Sequence, residues 1–110
     1  MVVERHVSPD GVLDLVIERL DDGVILIGFV GYEWHTHPNL LDRDEGATDD
    51  AALSAYIDRL LNGVAVVGIR RRGGTIVDAW IMDDPASEAD TFQDDETLEM
   101  RYWDGRPWSA

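Results

Sequence analysis

The chain has no cysteine, no lysine, few bases of any kind and no long apolar run, and each lack closes a class of chemistry. Without cysteine there is no disulfide, no thiolate nucleophile and no cysteine-ligated zinc. All nine bases are arginine, so lysine Schiff-base chemistry and the P-loop lysine are excluded. Nine bases against 23 acids leave a formal charge of −14, the wrong sign for duplex DNA, RNA or an anionic membrane, which need a basic surface to release counterions. The longest apolar stretch, Val24 to Tyr32, is nine residues, far short of the roughly 20 a bilayer requires. Glu4, Arg5, Asp10 and Asp14 interrupt any signal-peptide core near the N-terminus, which makes a cytoplasmic protein the expectation.

What is present is enough for one domain. At 110 residues, with 45% hydrophobic composition, folding buries roughly 65% of the surface the unfolded chain exposes, so whole-chain disorder is not expected. Val12 to Leu20 alternates as a half-buried strand does, and Asp21-Asp22-Gly23 predicts a hairpin turn into a second strand from Val24 to about His35. That second strand is apolar on both parities and is expected at the centre of the sheet, with Gly28 and Gly31 marking a bulge or a close approach of another backbone. A helix follows, capped by Thr48 or Asp49 and stopped at Asn62-Gly63, with Leu53, Tyr56, Ile57, Leu60 and Leu61 as its apolar stripe. Val64 to Arg71 and Thr75 to Met82 read as a second hairpin, and Thr97 to Trp103 as a last strand. Val2 to Val7 is a candidate leading strand, and Asp84-Pro85 a candidate start for a short helix. The order ββαβββ predicts an α+β two-layer domain, an antiparallel sheet of about five strands with one main helix packed on one face.

The charge is localised. Asp83, Asp84, Glu88, Asp90, Asp94, Asp95, Glu96 and Glu99 give residues 83–99 a charge of −8, and Asp42, Asp44, Glu45, Asp49 and Asp50 against Arg43 give residues 42–50 a charge of −4. Such stretches are either a solvated surface or a field that steers a basic partner. Mutual repulsion between them predicts that stability rises with salt. Residues 42–46 do not make a calcium loop: glycine stands fifth rather than sixth, and Leu53 stands where the twelfth-position glutamate is needed. Arg70-Arg71-Arg72 reads either as a phosphate or carboxylate clamp or as the solvated end of a hairpin. Trp103 and Trp108, flanking Asp104-Gly105-Arg106-Pro107, are candidate interface anchors.

One constellation carries chemistry. Glu33, His35 and His37 alternate, so a continuing strand projects them from one face, where two imidazoles and a carboxylate match the ligand set of zinc and of open non-haem iron sites. His6 is a further candidate ligand. Pro38 opposes this by restricting His37 and ending the strand, leaving the histidines as end-of-strand residues bonded to a turn. A third reading makes them a charge switch in a binding surface, because neighbouring carboxylates favour protonated imidazole. No nucleophile elbow surrounds Ser8, Ser54, Ser87 or Ser109, and no Gly-x-Gly-x-x-Gly is present.

Small, cysteine-free, acidic and without a complete catalytic motif, the chain is similar in general profile to bacterial immunity proteins and antitoxins, which bind and block a toxic partner. The resemblance implies a nonenzymatic binding domain; the localised charge makes a basic protein partner the expectation, with Asp42, Asp44, Glu45, Asp90, Asp94, Asp95, Glu96 and the candidate anchors Trp103 and Trp108 as contact residues and a homo-oligomer as a further option. The alternative is a small metal-dependent enzyme that uses Glu33, His35 and His37 to hold zinc or iron.

Overall fold

The computed structural model describes residues 1–41, 46–89 and 94–109. Asp42, Asp44, Glu45 and Asp90 lie outside them. The first sheet is an antiparallel meander of β1 (Val2–Val7), β2 (Asp14–Arg19), β3 (Ile25–Phe29) and the two-residue β4 (His35–Thr36), in that order across the sheet. The β2–β3 turn forms at Asp21-Asp22-Gly23 as expected. Gly23 takes φ +85°, where a Cβ would be strained, and the Asp22 carboxylate accepts the Val24 amide at 3.0 Å.

The strand expected from Val24 to His35 stops at Phe29. Gly31 at φ +90° and a 3.2 Å bond from the Tyr32 amide to the Phe29 carbonyl turn the chain back, so His35 and Thr36 pair with Gly28 and Ile27 instead of prolonging β3. Of the two glycines, Gly28 is the close approach. A Cβ there would stand 3.0 Å from the Trp34 carbonyl oxygen.

Helix α1 (Asp49–Leu61) has the expected ends. The Thr48 hydroxyl accepts the Ala51 amide at 3.1 Å, Asp49 and Asp50 sit on the positive end of the helix dipole, and Gly63 at φ +74° follows the last turn. Ala52, Ile57 and Leu60 are buried, with Leu53, Tyr56 and Leu61 half-buried beside them. The second sheet holds β5 (Val66–Arg72) between β6 (Thr75–Met82) and β7 (Glu96–Arg101). Gly73 and Gly74, both at positive φ, make the tight β5–β6 turn, and α2 (Pro85–Glu88) is a single turn where Asp84-Pro85 predicts one. β7 ends at Arg101, two residues short of the expected Trp103, because the Asp104-Gly105 turn brings the Trp108 amide back to the Met100 carbonyl at 2.9 Å.

The antiparallel α+β character stands, but a single sheet of five strands does not. There are two sheets, of four and three strands. The extra strand arises from the Gly31 turn, and β7 adds to the free side of β5 rather than to the first sheet. The two sheets meet through side chains: Leu15, Ile17, Ile27 and Phe29 of the first, Val67, Ile69, Ala79 and Ile81 of the second, Ile57 and Leu60 of α1, and Trp103 form one buried cluster. The other face of the second sheet buries Val66, Trp80 and Met82, with Leu98, Met100 and Trp108 packed against them. Among the described residues no helix is long and apolar enough to cross a membrane.

Candidate functional site

β4 and the residues beside it carry the histidines. Alternation puts His35 and His37 on one side, where the rings meet edge to face with centroids 5.3 Å apart. His35 Nδ1 is 3.1 Å from the Glu33 carbonyl oxygen and His37 Nδ1 is 2.9 Å from that of Ile25. A carbonyl only accepts, so both rings donate Nδ1–H and leave Nε2 outside these bonds. Glu33 lies in the turn before β4 rather than on a continuous strand, and it is exposed. Among the described residues no three His, Asp or Glu side chains are grouped to hold a metal ion. His6 does not join the pair: it sits on β1, the opposite edge of the sheet, three strand spacings or about 14 Å away, with Nε2 3.0 Å from Glu4 Oε2.

The acidic run of residues 94–99 is largely matched within the fold. The β5–β7 register sets Arg72 opposite Glu96 and Arg70 opposite Leu98, which brings the arginine triplet along the acids of β7. Glu96 is buried, its carboxylate 3.6 Å from Arg70 Nε and 2.8 Å from Arg72 Nη2. Asp95, which is exposed like Asp94, lies 3.2 Å from Arg72 Nε. Arg71 pairs with Glu99, and Glu99 also accepts from Arg101 Nε at 2.5 Å. The triplet is therefore the cationic half of a cross-strand ladder rather than a free anion clamp, with Arg72 exposed at the strand end. Trp103 is buried in the core, and Trp108 is half-buried against the outer face of the second sheet.

Arg101 extends the ladder to the first sheet. It is buried and pairs with Asp10 in the β1–β2 loop; Asp10 in turn accepts the Ser8 hydroxyl at 2.7 Å and the Val12 amide at 3.1 Å. The Ser8 hydroxyl, followed by the Val12 amide and Arg101, holds the Asp10 carboxyl below its usual range against the opposing effect of burial. Arg101 does the same for Glu99, with Arg71 contributing less.

Carboxylates lie differently at the other end of the first sheet. There a groove of about 470 Å³ runs between the sheet and the first turns of α1, lined by Val3, Val24, Ile25, Pro38 and Leu53. Val3 and Val24 are 44% and 40% exposed, an apolar surface open to solvent. Asp49 and Asp50 line the same groove, and Asp21 and Asp22, both exposed, lead directly into its Gly23 and Val24. Arg19 is the one base among the described residues that line it. In the sequence Asp21 and Asp22 carry only the marks of a turn, while Asp49 and Asp50 mark a helix N-terminus and close the acidic stretch of residues 42–50. Nothing local to Val3 or Pro38 places either beside them.

No protein-family model, curated relative or solved structure matches the chain, so its function is argued from this geometry.

Proposed function

We propose that the chain is a nonenzymatic, cytoplasmic interaction domain that takes a basic, amphipathic segment of a protein partner into the groove between the first sheet and α1. One observation carries the reading: exposed valines line a groove together with Asp49 and Asp50, and the exposed Asp21 and Asp22 directly precede its Gly23 and Val24. The charge steers a basic partner and raises its association rate by about 10 to 10³, while the valines supply apolar contact that outlasts the encounter. Blocking of a basic partner in the manner of an immunity protein or antitoxin fits this division of labour. Self-association is the other option for such a domain and would use β1, an edge strand with Val2, Val3 and Val7 exposed.

A synthetic peptide with lysines on one helical face and leucines on the other tests the reading by titration calorimetry. The double variant Asp49→Asn, Asp50→Asn is expected to weaken binding and flatten its salt dependence. Val24→Asp separates the groove from the bulk field: it adds a negative charge, so attraction by net charge alone would tighten the peptide, whereas docking against the valines loses about tenfold or more. Tighter binding by the Val24 variant overturns the proposal.

The histidine pair favours a second reading, the small metal-dependent enzyme. Two imidazoles fixed through Nδ1 present Nε2 as metal ligands commonly do, and zinc or iron would require at least one further ligand. Zinc is then expected to raise the melting temperature of the native chain and to leave both His35→Ala and His37→Ala unmoved. A native chain indifferent to zinc removes this reading.

A further inference from the structure

A second concavity, on another side of α1, holds charges of both signs. At about 3.6 residues per turn, positions 49, 50 and 53 face the acidic groove while 55, 56 and 59 turn toward this one. It has a volume of about 430 Å³, between β4, α1 and the end of β6, with Trp34, Leu41, Tyr56 and Ile81 in its wall and Arg59 and Asp83 also lining it. Among the described residues Arg59, like Arg19, stands apart from the ion-paired arginines. Six other arginines are ion-paired to carboxylates, yet Arg59 forms no such pair among the described residues, although Asp83 lines the same cavity. Neither the Arg59 guanidinium, the Asp83 carboxylate nor the Tyr56 hydroxyl has a hydrogen-bond partner among the described residues.

We propose that this cavity binds a small zwitterion of the α-amino-acid type, with its carboxylate on Arg59 and Tyr56, its ammonium on Asp83, and an apolar side chain against Trp34, Leu41 and Ile81. The two charges select the class. A simple anion meets repulsion from Asp83 and a simple cation meets it from Arg59, so a ligand carrying both signs is the complementary one. The Tyr56 hydroxyl, like any phenol, is protonated and a hydrogen-bond donor at physiological pH, and burial first, with Asp83 next, pushes its pKa further up. The volume falls within the range of about 300–1,000 Å³ usual for small-molecule sites. None of this depends on the acidic groove or its partner.

L-phenylalanine, L-leucine and L-tryptophan serve as probes, followed through the amide and indole resonances of Trp34 and the ring signals of Tyr56. At least one is expected to shift these signals saturably at or below about 10 mM, the weak end of specific affinity. Its N-acetyl and carboxamide derivatives, each lacking one charge, are expected to bind at least about tenfold more weakly, as are the variants Arg59→Gln and Asp83→Asn. Both side chains are exposed and unpaired, so these variants leave the fold intact, and Tyr56→Phe tests the hydroxyl with the ring retained. The proposal is overturned if no probe shifts Trp34, or if either blocked derivative or either charge variant binds as well as its parent.

Discussion

Arg101 joins the two sheets through carboxylates on either side of it, Glu99 on its own strand and Asp10 in the β1–β2 loop. Both acids titrate below their ordinary values of 3.8 for Asp10 and 4.5 for Glu99 when the chain is folded. A carboxyl whose folded value is depressed contributes stability that is complete above its unfolded value and is lost as pH falls through the lower, folded one. The native chain should accordingly lose part of its stability from about pH 5 downward. Falling pH also relieves repulsion among the other acids, an opposing effect that a variant shares, so a difference between two chains isolates the pairs. Arg101→Met keeps the length of the stem and removes the charge. At pH 7 it should cost about 2–4 kcal/mol, because two carboxylates lose a buried partner, and urea unfolding between pH 7 and 3 should show a shallower acid loss than the native chain. The change should come more from Glu99, whose largest cause is Arg101, than from Asp10, whose largest cause is Ser8. Parallel pH profiles would show that Arg101 does not set these values.

At the scale of elements, what could be read from the sequence was what local chemistry decides. α1 is legible end to end because its cap, its apolar stripe and its glycine stop lie within sixteen residues, Thr48 to Gly63. The hairpin turns at Asp21-Asp22-Gly23 and Gly73-Gly74 are legible for the same reason, since positive φ at glycine is a local demand. β4 was missed because an apolar run shows that residues are buried without showing where the chain reverses, and Gly31, which makes the turn, reads within that run as a bulge or a close approach. The split into two sheets was missed because alternation identifies the face of a strand and not its neighbour; nothing in Thr97-Leu98-Glu99 names β5 as partner. The same limit governs the sites. Neighbourhood of His35 and His37 follows from their spacing, whereas both cavities draw residues from segments far apart in sequence, Val3 with Leu53 in one and Trp34 with Asp83 in the other.

For the whole molecule, the internal pairing changes what −14 means. Among the described residues six arginines are held against Asp10, Asp14, Asp78, Asp95, Glu96, Glu99 and Asp104, so much of the cationic charge stands beside carboxylates, and the acids outside these pairs are left to repel one another. Two effects of salt then compete. Screening weakens the pairs, but Glu96 and Arg101 are buried, and buried charges are screened much less than exposed ones. Screening also relieves repulsion among exposed acids such as Asp21, Asp22, Asp50, Asp58, Asp83, Asp84 and Asp94, which stand where ions reach them. The second effect should exceed the first, and the melting temperature should rise between about 20 mM and 300 mM sodium chloride, as the Debye length shortens from about 20 Å to about 6 Å. Potassium chloride should act equally, since screening depends on ionic strength and not on the identity of the cation. A melting temperature that falls over this range would mean that the ladder on the second sheet outweighs the repulsion, and that the acidic end of the first sheet is less strained by its charge than its composition implies.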